Sequence, residues 1–154
     1  MPRLAVVVRF LVVLLALALP GAVARAQAPA LEAMMADRVI GKADAPITIY
    51  EYASLTCSHC AAFHKDTLPK LKENWLDTGK AKLVFRDFPL DGLALRAAMM
   101  ARCLPQERYF PVVDILFKNQ DSWSRARDPL AALSGTGRLS GLSQDAFDAC
   151  MKNE

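Results

Sequence analysis

The sequence predicts an α/β protein in which a βαβ unit is followed by a helical segment. Two runs rich in β-branched and aromatic residues, ITIYEY at residues 47–52 and KLVFRDF at residues 82–88, flank a stretch whose apolar residues recur at helical spacing. Adjacent strands joined through a helix run parallel. Everything after residue 91 has helical patterning, so we expect the βαβ unit to carry an inserted or appended helical subdomain.

The first 26 residues have the order of a secretory signal peptide. Two arginines precede an unbroken apolar run at residues 10–19, and small residues follow. The apolar run is about half of the roughly 20 residues that a membrane-spanning helix needs. Cleavage after Ala26 fits this pattern, and cleavage after Ala24 or Ala28 fits it nearly as well. We therefore predict export, with no stable membrane insertion after cleavage.

Removal of this segment changes the charge of the chain. The whole sequence has 19 basic and 16 acidic side chains, and residues 1–26 contain three of the basic ones and none of the acidic ones, which leaves 16 of each. A balanced mature chain gives no reason to predict a nucleic-acid partner. Its length suits one domain. We interpret residues 27–45 as a mobile lead-in, residues 46–90 as the βαβ half and residues 91–154 as the helical subdomain.

The helix of the βαβ unit is predicted from residue 60 onward. Its face is marked at spacings of three and four by Ala61, His64, Leu68, Leu71 and Trp75. Pro69 lies inside this helix and should kink it, because proline has no backbone N–H and its ring collides with the preceding turn.

Helices are also predicted in the subdomain, over residues 93–103, 107–119, 129–134 and 144–152. Leu95, Met99 and Cys103 form one core-facing stripe of the first of these helices. Asp128 and Ser143 are residue types that cap helix N-termini, and they precede the last two helices.

The stretch EYASLTCSHCAAFH places Cys57 and Cys60 where the first strand turns into the helix. Free N–H groups and the dipole at a helix N-terminus favour a thiolate at Cys57. Cys60, one turn later, lies on the same face and can close a disulfide with Cys57. His59 can add a positive charge or a hydrogen-bond donor beside the same sulfur. The sequence therefore predicts a redox centre.

A metal site and a structural disulfide are the alternatives for this cysteine pair. A CxxC motif is half of a four-cysteine zinc site, and Cys103 and Cys150 are too far apart to form a second close pair. His59 and His64 could complete a two-cysteine, two-histidine set, although His59 would point away from the face that the cysteines share. The even number of cysteines in an exported chain favours two disulfides, with three connectivities open. We predict no metal and no cofactor.

Three segments together resemble the DsbA family of thioredoxin-fold periplasmic thiol oxidoreductases, in the type found in α-proteobacteria: YEYASLTCSHCAAFH, KLVFRDFPLD and ARCLPQERYFPVVDILFKNQDSW. The resemblance covers residues 39–151 and implies a thioredoxin-like fold and a periplasmic location. It implies that Cys57 is the exposed nucleophile, that Cys60 is its buried partner and that His59 stabilises the Cys57 thiolate. Glu51 would be a partly buried carboxylate near Cys60 that helps to move its proton; an outward-facing acid is the alternative.

The resemblance also has implications for residues other than Cys57, Cys60, His59 and Glu51. Arg86 is either a neighbour of the Glu51 carboxylate or a solvent-facing arginine. Ser58 stands where the family commonly has proline, a difference expected to alter the redox potential rather than the chemistry. Cys103 and Cys150 match a second, non-catalytic disulfide of similar relatives, with two unpaired buried thiols as the alternative.

The function implied is that of an enzyme, a dithiol oxidase that introduces disulfides into reduced or unfolded exported proteins. A membrane quinone-linked thiol oxidase would reoxidise it, and a reductase or isomerase of the same fold would differ in redox potential. No second β-rich stretch follows residue 91. We therefore expect the C-terminal strands of the fold to be missing and interpret the chain as truncated. The alternatives are an inactive fragment and a thiol-based metal-binding or delivery module.

Overall fold

The structure is a computed structural model that describes residues 28–152. The predicted signal peptide lies outside the described residues. Three strands form one sheet in the order β1-β3-β2: Arg38–Gly41 (β1), Ile47–Ala53 (β2) and Ala81–Asp87 (β3). The predicted pairing is confirmed, because β2 and β3 run parallel, with Glu51 opposite Phe85.

Strand β1 was not predicted, and the interpretation of residues 27–45 as a mobile lead-in is wrong for this stretch. β1 is hydrogen bonded antiparallel to β3. It is four residues long and begins with Arg38, so it lacks the apolar pattern of a buried strand. The Arg38 side chain is nevertheless buried, because its guanidinium lies over the Tyr109 ring at 5.0 Å. A helix, Leu31–Met35 (α1), precedes this strand.

The helix between β2 and β3, which we call the CxxC helix, begins at residue 58 and alternates between α and π geometry. Its four segments are Ser58–Ala62 (α2), the π segment Phe63–Thr67, Leu68–Leu71 (α3) and the π segment Lys72–Leu76. The first π segment ends just before Pro69, whose ring would collide with the carbonyl of Lys65 in a regular α-helix.

The π segments change which residues of the CxxC helix face the core. His64 and Leu68 are buried as the helical spacing predicts, but Trp75 is 45% exposed and Leu76 is completely buried in its place. A π turn contains an extra residue, so the buried face moves along the sequence by one position. The prediction that Trp75 shares the buried face is therefore wrong.

The rest of the chain forms the helical subdomain. Its helices are Gly92–Cys103 (α4), Gln106–Lys118 (α5), Gln120–Ser124 (α6), Pro129–Leu139 (α7) and Gln144–Cys150 (α8). Asp128 and Ser143 are N-caps as predicted, accepting hydrogen bonds from the third residue beyond each of them. Helix α6 was not predicted. Helix α7 extends beyond Ser134, and its Gly137 lies against Met100, where a Cβ would approach the sulfur to 3.2 Å.

Helix α4 is turned differently from the prediction. Its small residues face the core, with Ala94, Ala97 and Ala101 almost completely buried, whereas Leu95 is 47% exposed. Small side chains allow α4 to approach its neighbours closely, so the large residues Leu95 and Met99 face outward. They line an open groove of about 730 Å³ beside β2. Cys103 lies on the buried face as predicted.

Candidate active site

Cys57 is the N-cap of the CxxC helix. Its backbone is extended, with φ −81° and ψ 119°. Its N–H donates to the carbonyl of Ser54 at 3.0 Å, and its carbonyl accepts from the N–H of Ala61 at 3.1 Å. These bonds fix the turn from strand β2 into the helix. The predicted placement of Cys57 at a helix N-terminus is thus what the structure shows.

The two thiols are free, and both are partly exposed. The expected contrast between an exposed Cys57 and a buried Cys60 is therefore not seen in their exposure. It is seen in their proton affinities. The backbone N–H and the thiol of Cys60, together with the backbone N–H of His59, lower the pKa of Cys57 against the opposing effect of partial burial. Each donor favours the thiolate over the thiol.

The pKa of Cys60 moves in the opposite direction. Burial raises it most, and the hydrogen bond that the Cys60 thiol gives to Cys57 raises it further. The negative charge of Glu51 adds to the same effect. The pair therefore has one sulfur that favours the thiolate and one that retains its proton. Such a pair can attack a disulfide through Cys57 while Cys60 waits as a thiol.

His59 and Ser58 both project from the first turn of the helix and are exposed. The contribution of His59 to the lowered pKa of Cys57 comes from its backbone N–H. The role predicted for the His59 imidazole stays a prediction. The backbone of Cys57, as N-cap, fixes the turn into the helix. The exposed Ser58 side chain is not needed to form this turn.

Glu51 faces into the protein, so the alternative of an outward-facing acid is wrong. Its side chain is 12% exposed, and its Oε1 lies 2.8 Å from Nε2 of His64 on the CxxC helix. Its second oxygen, Oε2, is buried and has no hydrogen-bond partner among residues 28–152. The effect of the Glu51 charge on Cys60 agrees with the expected nearness of these two groups. Proton transfer by Glu51 stays a prediction.

Arg86 is not the neighbour of Glu51. It lies opposite Tyr52 in the β2–β3 register, one residue out of phase with Glu51, and so projects from the other face of the sheet. Its guanidinium lies over the Tyr50 ring at 5.0 Å and 3.5 Å from Asp37. The interpretation of Arg86 as a solvent-facing residue is correct.

Gln120 contacts the site, and the sequence analysis missed it. Its side chain is buried, and Nε2 donates to the carbonyls of Leu55 and Cys57 at 2.8 and 3.0 Å. It therefore ties the turn that carries the thiol to the helical subdomain. A glutamine at the start of a short helix has the pattern of a surface residue, so nothing local in the sequence marked it.

Thr56 makes a second connection between the two halves. Its hydroxyl donates to Asp91 Oδ2 at 2.6 Å, and Oδ1 of the same carboxylate accepts the backbone N–H of Ala94 at 2.7 Å. Asp91 is thus both the N-cap of α4 and the partner of the residue before Cys57. The Thr56 hydroxyl and the Ala94 N–H lower the pKa of the Asp91 carboxyl.

The other two cysteines are joined to each other. Cys103 at the end of α4 and Cys150 at the end of α8 form a disulfide with a Cα–Cα distance of 6.3 Å. Both are buried. The alternative of two unpaired thiols is not what the structure contains.

The described residues contain neither a cluster of metal ligands nor a membrane-spanning helix. Within residues 28–152, no three histidine, cysteine or acidic side chains are grouped so that they could hold a metal ion. None of the helices in the same range has the length and apolar character needed to cross a membrane.

Comparisons with known proteins place these features in a family. The sequence matches the family described as Thioredoxin over residues 34–154. The crystal structure of Wolbachia pipientis alpha-DsbA1 is 44% identical with a TM-score of 0.70, covering 77% of this chain and 60% of that chain. BdbD from Bacillus subtilis, in its oxidised form, has the same fold at 20% identity and a TM-score of 0.66, covering 82% of this chain and 70% of that one.

A curated relative from Rickettsia bellii, named "Putative protein-disulfide oxidoreductase", is 34% identical over 119 residues. These residues are 77% of this chain and 46% of the relative, so the chain spans about half the length of that protein. The fold and the paired cysteines at the start of its central helix define a thioredoxin-like dithiol protein. The chain belongs to the family described as Thioredoxin. Within that family it is similar to the alpha-DsbA1 structure and to a relative named as a protein-disulfide oxidoreductase.

Proposed function

We propose that this protein is a dithiol oxidase that introduces disulfides into exported proteins in the periplasm. The observation that carries the proposal is the position of Cys57 as N-cap, with its sulfur near the backbone N–H groups of His59 and Cys60. Donors that stabilise the thiolate stabilise the reduced form. A stabilised reduced form makes the Cys57–Cys60 disulfide a stronger oxidant.

The reaction has two exchanges. A client thiolate attacks Cys57 Sγ, the Cys57–Cys60 bond breaks, and its electron pair goes to Cys60. A second client thiolate then attacks the client sulfur of the mixed disulfide, and Cys57 leaves as a thiolate. The client loses two electrons and gains a disulfide, while this protein becomes a dithiol. The disulfide of a membrane quinone-linked thiol oxidase would take those two electrons and restore the oxidised form.

His59 and Ser58 fit this role as exposed residues between the cysteines. An imidazole there can approach the Cys57 thiolate when client binding excludes water, and it would favour the reduced form further. Ser58 leaves a backbone N–H that proline would lack, so it can supply one more donor at the helix N-terminus. We expect it to set the redox potential rather than the type of reaction.

The first experiment compares Cys57→Ser and Cys60→Ser with the unchanged protein. The full 154-residue sequence is expressed with its own N-terminus and purified from the periplasmic fraction, where the intact mass also reports whether residues 1–26 were removed. The oxidised protein is mixed with a reduced peptide that carries two cysteines. We expect stoichiometric oxidation of the peptide by the unchanged protein and none by Cys57→Ser. Cys60→Ser cannot form the internal disulfide, so it is mixed with the same peptide carrying glutathione on both cysteines. Its Cys57 thiolate should attack a peptide sulfur, release a glutathione thiolate and remain joined to the peptide as a mixed disulfide.

The pH dependence of Cys57 alkylation tests whether the helix N-terminus stabilises the Cys57 thiolate. A lowered folded pKa means that the thiolate of Cys57 stabilises the reduced fold fully above the unfolded pKa, near 8.5 for a free cysteine. This stabilisation is lost as the pH falls through the folded pKa. Alkylation of Cys57 in the folded protein should therefore begin at lower pH than in the denatured chain. Coincident curves would remove the basis for the oxidase.

A further inference from the structure

A buried histidine lies on the inner side of the CxxC helix. It takes no part in the thiol–disulfide exchanges of Cys57 and Cys60. The side chain of His64 is 3% exposed, and its Nε2 is 2.8 Å from Glu51 Oε1. We propose that His64 is a positioning residue for Glu51, and that this buried pair takes up and returns the proton of Cys60. The inference rests on the proposed function and deepens it by assigning the proton step to named groups.

The His64 ring is held in one orientation by aromatic contacts from three elements. It stacks against Phe117 of α5 at a centroid distance of 4.2 Å and meets the edge of Phe85 on β3 at 5.8 Å. Phe63, its neighbour along the chain, closes a third side at 5.9 Å. Among the described residues, Glu51 is the ionisable group that is hydrogen bonded to it. A ring fixed in this way can direct a carboxylate without a loss of alignment.

This environment explains why Glu51 needs a partner in order to act as a base. Burial disfavours the ionised form of a carboxyl group, and a hydrogen bond donated to the carboxylate favours it. With a proton on Nε2, the His64 ring supplies this bond to Oε1. Oε2 is buried and finds no hydrogen-bond partner in the described part of the chain, which is an unusual condition for a buried polar atom. An acceptor held free in this way is available for a proton.

The source of the proton is Cys60. Its pKa is raised by burial first and also by the charge of Glu51, so Cys60 enters the reaction as a thiol. Closure of the disulfide needs this proton to be removed, because the attacking group is the thiolate. Glu51 is the group that accepts the proton of Cys60, and His64 acts by holding the Glu51 carboxylate through its hydrogen bond. The π segment that contains His64 is a type of helix irregularity often found at functional sites.

The step balances as follows with oxidised glutathione as the oxidant. The Cys57 thiolate attacks glutathione disulfide and forms a mixed disulfide, releasing one glutathione thiolate. The Cys60 thiol gives its proton to Glu51, and the Cys60 thiolate attacks Cys57 Sγ. The Cys57–Cys60 bond forms, the bond between Cys57 and glutathione breaks, and its electron pair leaves with the second glutathione thiolate. When a client later reduces the Cys57–Cys60 disulfide, the pair returns the proton to the Cys60 thiolate.

The experiment measures closure of this mixed disulfide by acid quenching and mass spectrometry across a range of pH. His64→Gln removes the ring that Phe117 and Phe85 hold in one orientation, so the donor to Glu51 Oε1 is no longer fixed in direction. We expect closure to slow by about 10-fold, a part of the roughly 10²- to 10⁴-fold that a positioned acid or base supplies, and to need a higher pH. Formation of the mixed disulfide should be unchanged. Glu51→Gln should slow closure similarly, and the double variant should be no slower than the slower single variant.

Leu68→Ala is the matched control, because Leu68 is buried on the same helix one turn later and carries no proton. It should lower the melting temperature and leave closure within about twofold of the unchanged protein. Wild-type closure rates and an unchanged pH profile in His64→Gln would overturn the role of His64 alone. If the unchanged protein forms no mixed disulfide, the proposed function fails, and this inference fails with it.

A second measurement decides the matter if His64→Gln does not fold. The chain has two histidines, so the untagged protein gives two imidazole signals in an NMR titration. The pH dependence of the His64 signal should differ between the reduced and the oxidised protein, because the pair holds a shared proton that depends on the state of Cys60. A His64 signal that titrates identically in both forms would overturn the proposal.

Discussion

The two cysteine pairs of this protein share one chemistry and occupy opposite environments. Cys57 and Cys60 lie three positions apart in the first turn of a helix, and both are partly exposed and free. Cys103 and Cys150 are 47 positions apart, buried, and joined across the ends of α4 and α8. The first pair is open to other molecules, whereas the second pair is shielded by the core of the helical subdomain.

The difference lies in which state the protein stabilises. At the first pair, backbone N–H groups favour the thiolate of Cys57, so the fold favours the reduced form. At the second pair no comparable donors are needed, because burial disfavours a thiolate and the disulfide keeps two helices together. The backbone donors therefore favour the dithiol state of the first pair, and burial favours the disulfide of the second pair.

The largest effect on stability is expected from removal of the buried disulfide. Cys103→Ala combined with Cys150→Ala should lower the free energy of unfolding by about 3 kcal/mol, because the unfolded chain is no longer cross-linked. This corresponds to a decrease of roughly 10 °C in the melting temperature. Peptide oxidation at 25 °C should persist. An unchanged melting curve, or loss of oxidation in the folded double variant, would contradict the division of roles between the pairs.

The contrast between the pairs also shows what the sequence could predict. The CxxC motif, strand β2 and the helix N-terminus are consecutive in the chain, so local rules placed Cys57 correctly. Glu51 was assigned through a family resemblance, and its burial depends on His64, thirteen residues later. Gln120 lies more than sixty residues from the carbonyls that it contacts. Contacts of this length leave no local pattern in one sequence.

Errors in the predicted helix faces have a related cause. A stripe at spacings of three and four assumes regular α geometry, and the π segments shift the buried position from Trp75 to Leu76. In α4 the pattern favoured the largest apolar residues, Leu95 and Met99. Close packing instead selected the alanines, because two helices approach most closely through small side chains.

A middle-sized effect is expected at Gln120, which joins the reactive turn to the helical subdomain. Gln120→Ala removes the donor to the Leu55 carbonyl and one of the two donors to the Cys57 carbonyl, so we expect a loss of about 2 kcal/mol in unfolding free energy. The turn should also hold the helix N-terminus less firmly, and alkylation of Cys57 should shift to higher pH. Denaturant unfolding and the alkylation titration measure these two effects.

The control for Gln120 is Gln106→Ala. Gln106 is also the first residue of a helix, but it is exposed. This substitution should change the unfolding free energy by less than about 0.5 kcal/mol, as is usual for surface positions, and leave the alkylation curve in place. Equal effects of the two substitutions would mean that the Gln120 hydrogen bonds do not support the site.

The smallest effect is expected from a comparison of two aspartate N-caps of the helical subdomain, one of which also contacts the βαβ half. Asp128 accepts the N–H of Ala131 alone among its described partners, whereas Asp91 accepts both the N–H of Ala94 and the hydroxyl of Thr56. Loss of an N-cap costs about 1 kcal/mol. Asp91→Ala should therefore destabilise the fold more than Asp128→Ala does, and Asp91→Asn should recover part of the loss.

The sign of the pH dependence follows from the lowered pKa of Asp91, which Thr56 and then Ala94 produce. An aspartate with a depressed folded pKa contributes stability fully above its unfolded pKa, near 3.9, and this contribution is lost as the pH falls through the folded value. The extra cost of Asp91→Ala should thus be complete at pH 7 and shrink below about pH 4, as measured by denaturant unfolding at both pH values. A cost that stayed constant with pH would mean that the Asp91 charge does not stabilise the turn before Cys57.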